Sequence, residues 1–353
     1  MLQTSHPATA IQARLDAFDA IFIEHPRLLA LRDEIDLLMI QTKSRIAKNE
    51  KRCAAAGGRP IKLDELWLTP VLGPSGSGKS FSLARVVDAI YEDTSLPVDE
   101  IPVLVVTLRS SSRSPRHVQA QILEAFGAPQ AETVLRGRDY SEAMVNDDIR
   151  AIARHRKTSV VVLDEVHNLL ANGPGLAPKM AKAFKSLVND GIFSIVLSGT
   201  QEAMPLLTCD PELQSRQKEL LDFGAFRLNP DDIEYFLNFV AFLETQMVKQ
   251  KVVDAPIGLT NDIEACATVY DMADGVIGIV SRIVRLALER ALRHGNTTVA
   301  WEDIGHAHRA WQMAGAVRET GGKPQKRDPF LRGPDARTVD AMVFSLNVDR
   351  RAA

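Results

Sequence analysis

One short stretch constrains the fold of this 353-residue chain more than any other. Residues 73–80 read Gly-Pro-Ser-Gly-Ser-Gly-Lys-Ser, which fits the phosphate-binding pattern G-x-x-x-x-G-K-[ST]. An apolar run at 66–72 precedes the stretch and predicts a buried strand, while apolar residues at helical spacing follow it at 81–90. The pattern therefore lies between a strand and a helix. In that context main-chain N–H groups and the positive end of a helix bind an anion together.

The side chains of this loop predict a nucleoside triphosphate bound with Mg²⁺. Lys79 would place a full charge on the β- and γ-phosphates, and the Ser80 hydroxyl is suited to hold the metal ion. ATP and Mg²⁺ are therefore the expected cofactors. The predicted nucleotide contacts of the loop are Gly73, Pro74, Ser75, Gly76, Ser77, Gly78, Lys79, Ser80 and Phe81.

The rest of the chain divides into segments of different character. Strand-like runs alternate with helical segments over residues 59–228, which predicts an α/β core with a parallel sheet and helices on both faces. Further strands are predicted at 103–108, 160–165 and 193–200, and residues 226–228 are a candidate closing strand. The predicted domains are an N-terminal helical extension (1–58), the α/β core (59–228), an all-helical lid (229–314) and a flexible C-terminal tail (315–353).

Polar residues at the carboxyl ends of two predicted strands carry the expected chemistry. Asp164 and Glu165 follow four apolar residues; Asp164 can orient Mg²⁺ with Ser80, and Glu165 can align an attacking water. Thr200 ends the next strand in Ser-Gly-Thr, where a hydroxyl can contact the γ-phosphate, although a plain strand-to-loop turn is also consistent with it. Asp164-Glu165-Val166-His167 also resembles the helicase box D-E-x-H, but the mostly helical remainder of the chain argues against a second helicase domain.

Arginines outside the loop complete the candidate set. Arg216, in Leu-x-Ser-Arg, could neutralise charge on the γ-phosphoryl group of a neighbouring subunit, or it could form a surface salt bridge. Arg282, with Arg285 as the alternative, could reach the phosphates from the predicted lid. The Ser-rich loop with Arg109, Arg113 and Arg116 is a candidate DNA-backbone contact or a solvated loop. The basic run Lys43, Arg45, Lys48, Lys51 and Arg52 favours a solvated helix face, with a nucleic-acid or partner contact left open.

Bulk composition narrows the setting. The net charge of −3 means that any DNA contact must come from a local patch. Three scattered cysteines argue against a disulfide framework, and we recognise neither a signal peptide nor a long apolar run, so we expect a cytoplasmic protein without membrane contact.

Taken together, the motifs resemble those of AAA+ ATPases over roughly residues 59–311. Within that superfamily the chain is most similar to the TniB/TnsC transposition regulators and, more distantly, to phage MuB. The features that carry this resemblance are Phe-Ile-Glu-His-Pro-Arg at 22–27, Leu-Ser-Gly-Thr-Gln-Glu-Ala at 197–203 and Gly-x-x-Gly at 275–278.

The resemblance implies an ATPase that forms a ring or helical homo-oligomer on duplex DNA, largely indifferent to sequence. Such proteins link a TniQ-like target selector to a DDE transposase. Lys79, Glu165, Thr200 and Arg216 would then be the catalytic residues, Arg282 the lid contact to nucleotide, and the tail a partner-docking segment. Two alternatives stay open: a helicase loader or initiator-like AAA+ ATPase, and a non-catalytic scaffold gated by ATP binding.

Overall fold

The computed structural model of the chain describes residues 7–57, 59, 61–136, 141–171, 173–189, 191–319 and 328–352. These residues divide into two compact units, Pro26–Phe223 and Met1–His25 with Gly224–Ala353. We refer to them as the core unit and the helical unit.

The core unit holds the strands and the helices that flank them. Its strands are β1 (Leu68–Leu72), β2 (Val103–Thr107), β3 (Val160–Asp164), β4 (Ser194–Gly199) and β5 (Leu221–Asp222). Helix α1 (Pro7–Asp19) is the first described element and belongs to the helical unit. The helices of the core unit are α2 (Pro26–Ala56), α3 (Lys79–Tyr91), α4 (Pro115–Ala125), α5 (Ala131–Arg136), α6 (Glu142–His155), α7 (Ala177–Asn189), α8 (Met204–Thr208) and α9 (Pro211–Gln214). Short 3₁₀ turns span Val166–Leu170, Pro174–Leu176 and Gln201–Ala203.

The strands form a parallel sheet in the order β2-β3-β4-β1-β5. Side chains alternate between the two faces along each strand, so Val160 and Val162 pack on one side while Val161 and Leu163 pack on the other. Helices α2 and α3 cover the first face, and α4, α6 and α7 cover the second. The predicted α/β class with a parallel sheet between helical layers is confirmed.

The closing strand differs from the predicted one. Residues Leu221–Asp222 pair with Val71 and Leu72, whereas the candidate 226–228 forms no strand. Phe226 is instead buried in the hydrophobic core of the helical unit, and its N–H donates to the Gly275 carbonyl. An apolar residue near the end of a segment can be buried in either of two neighbouring hydrophobic cores. Tertiary packing, rather than the strand propensity of the residue, decides which of the two cores buries it.

The helical unit contains α10 (Pro230–Lys249), α11 (Ile263–Ala273), α12 (Ile277–Arg293), α13 (Trp301–Glu319), α14 (Pro329–Arg332) and α15 (Ala336–Ala352), together with α1. Helix α1 buries Leu15 and Phe18 in this unit, while α2 buries Leu31, Ile35 and Leu38 against the sheet. The segment predicted as one N-terminal extension is therefore divided between the two units.

The predicted flexible tail requires a correction. Helix α15 packs on α10 and α11, Met342 is fully buried, and Thr338 Oγ1 donates to Asp271 Oδ1 at 2.7 Å. Charged residues between the apolar positions of α15 make its helical pattern hard to recognise in the sequence. Asp328 could have indicated the start of α14, because its side chain accepts a hydrogen bond from the Phe330 N–H. The Gly-, Lys- and Arg-rich part of that tail, residues 320–327, lies outside the described residues.

Candidate nucleotide-binding and hydrolysis site

The loop at residues 73–80 joins β1 to α3, and three of its positions have a backbone conformation or a close contact that requires glycine. Gly76 and Gly78 have φ of 81° and 92°, in the left-handed region that favours glycine. Gly73 has a different reason: a Cβ at this position would lie 2.3 Å from the carbonyl oxygen of Phe223. Gly78 directly precedes α3, so the loop opens onto the N-terminus of that helix, where unpaired N–H groups favour an anion.

Lys79 occupies the centre of this loop. Its Nζ donates to the carbonyls of Gly73 at 2.8 Å and Pro74 at 2.9 Å and to Ser77 Oγ at 3.2 Å, and the side chain is buried. Burial lowers the pKa of Lys79, and the negative charges of Asp164 and Glu165 oppose that shift. The ammonium group therefore lies within electrostatic reach of both acids. Ser80 and Phe81, which follow it in the first turn of α3, are exposed.

The two acids differ in environment although they are adjacent. Asp164 ends β3, is buried, and accepts a hydrogen bond from the Glu165 N–H at 2.9 Å. Glu165 has φ 59° and ψ 37°, a left-handed conformation that costs a non-glycine residue on the order of 1 kcal/mol. Strained backbone of this kind clusters at functional sites, since the surrounding structure must hold it in place.

Thr200 lies where β4 ends, beside the turn that follows Glu165. Its N–H donates to His167 Nδ1 at 3.4 Å, and His167 Nε2 lies 3.2 Å from Glu165 Oε2. The hydroxyls of Thr200 and Ser198 are buried and have no hydrogen-bond partner among the described residues. Because buried hydroxyls are nearly always paired, these two are candidates for a hydrogen bond to a ligand at the end of β4.

Arg216 lies at the opposite edge of the sheet from the phosphate-binding loop. Its carbonyl accepts from Leu68 N at the start of β1, so the length of β1, roughly 13 Å, separates it from the loop. Its guanidinium is buried, pairs with Glu65 Oε1 at 2.9 Å and donates to Asn189 Oδ1 at 2.8 Å. Arg216 is therefore not part of the site of its own core unit.

The two lid arginines have partners within the helical unit. The guanidinium of Arg282 lies 4.9 Å from the ring centroid of Trp311, a cation–π contact. Arg285 forms a two-bonded pair with Asp19 at 2.7 and 2.8 Å. Both guanidinium groups therefore have partners within the helical unit, and the contact of Arg282 to nucleotide, with Arg285 as the alternative, stays a prediction.

The loop with the DNA-candidate arginines follows β2 and is tied to the acidic end of β3. Leu108 N donates to the Asp164 carbonyl at 2.9 Å, and the Leu108 carbonyl accepts from Asn168 Nδ2 at 2.9 Å. Arg109 forms an exposed pair with Glu124 at 2.6 Å. Arg113 is exposed, and Arg116 is half-buried in the first turn of α4. The loop thus begins beside the candidate metal ligand.

The basic run of α2 is largely paired within the chain. Lys48 and Arg52 both contact Asp64, at 2.6 and 2.7 Å, and the hydrogen bond from Lys48 is the main cause that lowers the pKa of Asp64. Arg45 lies over the Trp67 ring at 4.2 Å. These contacts hold the segment before β1 against α2, which accounts for three of the five cations of the run without a nucleic acid.

The sequence alone does not indicate the contacts of His167, Asn168 and Glu65. Their positions are set by turns and by contacts between residues as far apart as 65 and 216, which no local pattern shows. The one local signal for His167 is its place two residues after Glu165, within the helicase-like box D-E-x-H.

The parallel sheet in this order, the glycine-rich loop before α3 and the acids that end β3 define a P-loop protein with the AAA+ fold, followed by a helical part. Residues 68–207 match the sequence model of the family described as AAA domain, AAA_22. No curated protein sequence matches the chain.

Solved structures share the fold at low sequence identity. The Aeropyrum pernix ORC1 protein, solved in complex with DNA, has 17% identity and a TM-score of 0.50 over 78% of this chain and 66% of its own. The Aeropyrum pernix ORC2 protein, solved as ADPNP–ADP complexes, has 15% identity and a TM-score of 0.52 over 84% of this chain and 71% of its own. This chain therefore spans about two thirds of the first and slightly more of the second.

The described residues contain neither a membrane-spanning helix nor a cluster of metal-binding side chains. None of the helices there has the length and apolar character needed to cross a membrane. No cluster of three or more His, Cys, Asp or Glu side chains there could bind a metal ion without further ligands.

Proposed function

We propose that the protein is a Mg²⁺-dependent ATPase whose site is formed by residues 73–81, Asp164, Glu165 and Thr200. The observation that carries this proposal is the electrostatic and hydrogen-bonded proximity of Lys79, the acidic pair and the end of β4. The site fits ATP with Mg²⁺ because it offers a loop of positive-φ glycines and two buried hydroxyls that lack protein partners. Bound Mg²⁺–ATP would supply the electrophilic phosphorus and a cation that neutralises charge on the phosphates.

The residues of the chain would divide the work by type. Lys79 and the loop N–H groups would bind the phosphates, while Ser80 and Asp164 would hold the metal ion. Glu165, which is 38% exposed and close to Lys79, would orient a water and accept its proton. Thr200 would contact the phosphate end of the nucleotide. Two protein oxygens are too few to bind Mg²⁺ alone, which suits an ion that takes its other ligands from phosphate and water.

The finer proposal is that this ATPase regulates DNA transposition as TniB/TnsC proteins do, assembling on duplex DNA. It rests on the motif resemblance given above, and the DNA in the ORC1 structure supports DNA as a ligand to test. A TniQ-like selector and a DDE transposase would then be the partners. The test is turnover measured against protein concentration, with and without duplex DNA and Mg²⁺. A rate per subunit that rises in both series supports assembly; a flat rate contradicts it.

We expect Arg216→Ala to lower kcat at least tenfold at concentrations where the protein assembles, because an arginine acting in trans stabilises charge on the phosphoryl group. In the isolated subunit Arg216 pairs with Glu65, so its release is part of this proposal. Glu65→Gln is the matched variant: it breaks the same ion pair but leaves the guanidinium. If both variants lose thermal stability alike and neither changes kcat, Arg216 has only a structural role.

We expect the double variant Arg113→Ala/Arg116→Ala to weaken binding to duplex DNA of any sequence, because phosphate contacts position a protein without reading bases. Removing two phosphate contacts should lower the slope of log K against log salt by about 1.8. The matched control is Lys43→Ala/Lys51→Ala, which removes the same charge from exposed positions of α2. Fluorescence anisotropy at several salt concentrations measures both. If the control variant weakens DNA binding equally, then either α2 contributes to the DNA contact or the effect reflects only the loss of positive charge.

The likeness to the two Aeropyrum pernix ORC proteins favours one second candidate, an initiator-like or helicase-loader ATPase. Both candidates require ATP and DNA, so turnover does not separate them. Affinity purification does: a replicative helicase bound to the protein supports the second candidate, and a transposase or TniQ-like protein supports the first. Genes for a transposase and a TniQ-like protein beside this one would support the first as well.

A further inference from the structure

A histidine outside the proposed roles connects two of the proposed catalytic positions. His167 lies in the 3₁₀ turn after β3, with Nε2 at 3.2 Å from Glu165 Oε2 and Nδ1 at 3.4 Å from Thr200 N. The Glu165 carboxylate, the imidazole and the main chain at the end of β4 thus form one continuous array. The His167 side chain is 21% exposed, so its ring lies largely against protein rather than projecting into solvent.

The array fits one tautomer of the neutral ring. The Thr200 main-chain nitrogen can only donate, so His167 Nδ1 must accept and cannot carry a proton. The proton of the neutral ring is then on Nε2, where it is donated to the Glu165 carboxylate. A proton on Nδ1 would face the Thr200 N–H and break the array. The contacts therefore specify the neutral Nε2–H tautomer.

Packing at the end of β4 fixes where the imidazole can lie. A Cβ on Gly199 would lie 2.9 Å from Val166 Cγ2 and 3.4 Å from His167 Nδ1, so the turn contacts β4 at a position that glycine keeps open. On the other side of the turn, Asn168 Nδ2 donates to the Leu108 carbonyl. The turn that carries His167 is thus held between the end of β4 and the residue that follows β2.

We propose that His167 is a positioning residue, which holds the Glu165 carboxylate in register with the Thr200 main chain. This rests on the proposed ATPase function. In this arrangement a displacement at the end of β4, where Thr200 would contact the phosphates, reaches Glu165 through the imidazole. Glu165 then adopts its working direction only when β4 and the turn are in their correct relative positions, and the strained backbone at Glu165 leaves it dependent on that support.

Two amide substitutions separate the two contacts. His167→Gln keeps a donor near the Nε2 position, His167→Asn keeps a polar atom near the Nδ1 position, and His167→Ala removes both. We expect kcat to fall 10- to 100-fold in His167→Ala and His167→Asn and to be largely recovered in His167→Gln, since misplacing a catalytic group by about 1 Å has effects of this size. The Kd for Mg²⁺–ATP should stay within about threefold of wild type in all three. His155→Ala, on the exposed end of α6, is the matched control.

A second readout does not depend on turnover. In ¹⁵N-histidine-labelled protein, long-range proton–nitrogen correlations report the tautomer of each ring, and the signals of His167 are those lost in His167→Gln. We expect the neutral Nε2–H tautomer.

The outcomes separate this proposal from the proposed function. If wild-type protein shows no turnover above a Glu165→Gln background, the ATPase proposal fails. The NMR measurement of the His167 tautomer then tests on its own whether the array of Glu165, His167 and Thr200 exists. With turnover present, unchanged kcat in His167→Asn and His167→Ala overturns the positioning role. A parallel loss of nucleotide affinity in the variants, or an Nδ1–H tautomer, overturns it as well.

Discussion

A Lys79→Ala variant is expected to lose at least about 100-fold in affinity for Mg²⁺–ATP, because charge-assisted hydrogen bonds to phosphate are among the strongest a protein makes. Lys79 Nζ already lies among the loop carbonyls and near both acids, so the phosphates would meet a positioned cation. Titration with a fluorescent ATP analogue in the presence of Mg²⁺ measures the change. Lys43→Ala, at an exposed position of α2, provides the control for loss of a lysine.

Lys79 also bonds to its own loop, so folding must be checked separately. Removing three hydrogen bonds could loosen residues 73–77 without unfolding the core unit. The thermal midpoint and circular dichroism of the variant without nucleotide provide that check. A folded Lys79→Ala protein with wild-type affinity would rule out the loop as the nucleotide site.

Glu165→Gln is expected to separate binding from hydrolysis. The Kd for Mg²⁺–ATP should change little, because Asp164, Ser80 and Lys79 are intact, while kcat should fall at least about 100-fold with the loss of the proton acceptor. Glutamine has nearly the same shape and can still accept from His167 Nε2, so the array around Thr200 would stay in place. The amide adds no conformational strain beyond that already present at φ 59°.

The same variant tests how nucleotide controls assembly. If ATP favours the assembled form and hydrolysis loosens it, the Glu165→Gln protein should stay on duplex DNA once ATP is added. Dissociation rates measured after dilution, beside those of an exposed-site control such as Glu92→Gln, give the answer. Prompt release from DNA, or turnover equal to wild type, would contradict the role given to Glu165.

Local patterns predicted the sheet and its helical layers because those features repeat along the chain. Loop glycines and the acids that end β3 are recognisable from spacing, since main-chain geometry demands those residue types in sequence. The fold class is thus confirmed, and the structure brings Lys79, Asp164 and Glu165 near one another. Their catalytic roles stay predictions that the two variants above address.

What the sequence could not show depends on contacts between distant residues. Glu65 is the ion-pair partner of Arg216, and Asp64 neutralises part of the α2 run, yet neither acid stands out locally. The array through His167 exists because β3 and β4 are neighbours in the sheet, a fact of topology rather than of composition. The same holds for α15, whose buried Met342 and Thr338 meet α10 and α11 only after folding.

The assignment of α2 to the core unit bears on how the protein can be shortened. Leu31, Ile35 and Leu38 of this helix are fully buried against the sheet face that also carries Val71, Val162 and other β-branched side chains. A fragment that starts at the predicted boundary, residue 59, would lack α2. The apolar side chains on this face of the sheet would then be exposed to water and to contact with other chains. A fragment that retains the candidate nucleotide site together with the cover of this sheet face would have to start at or before Pro26.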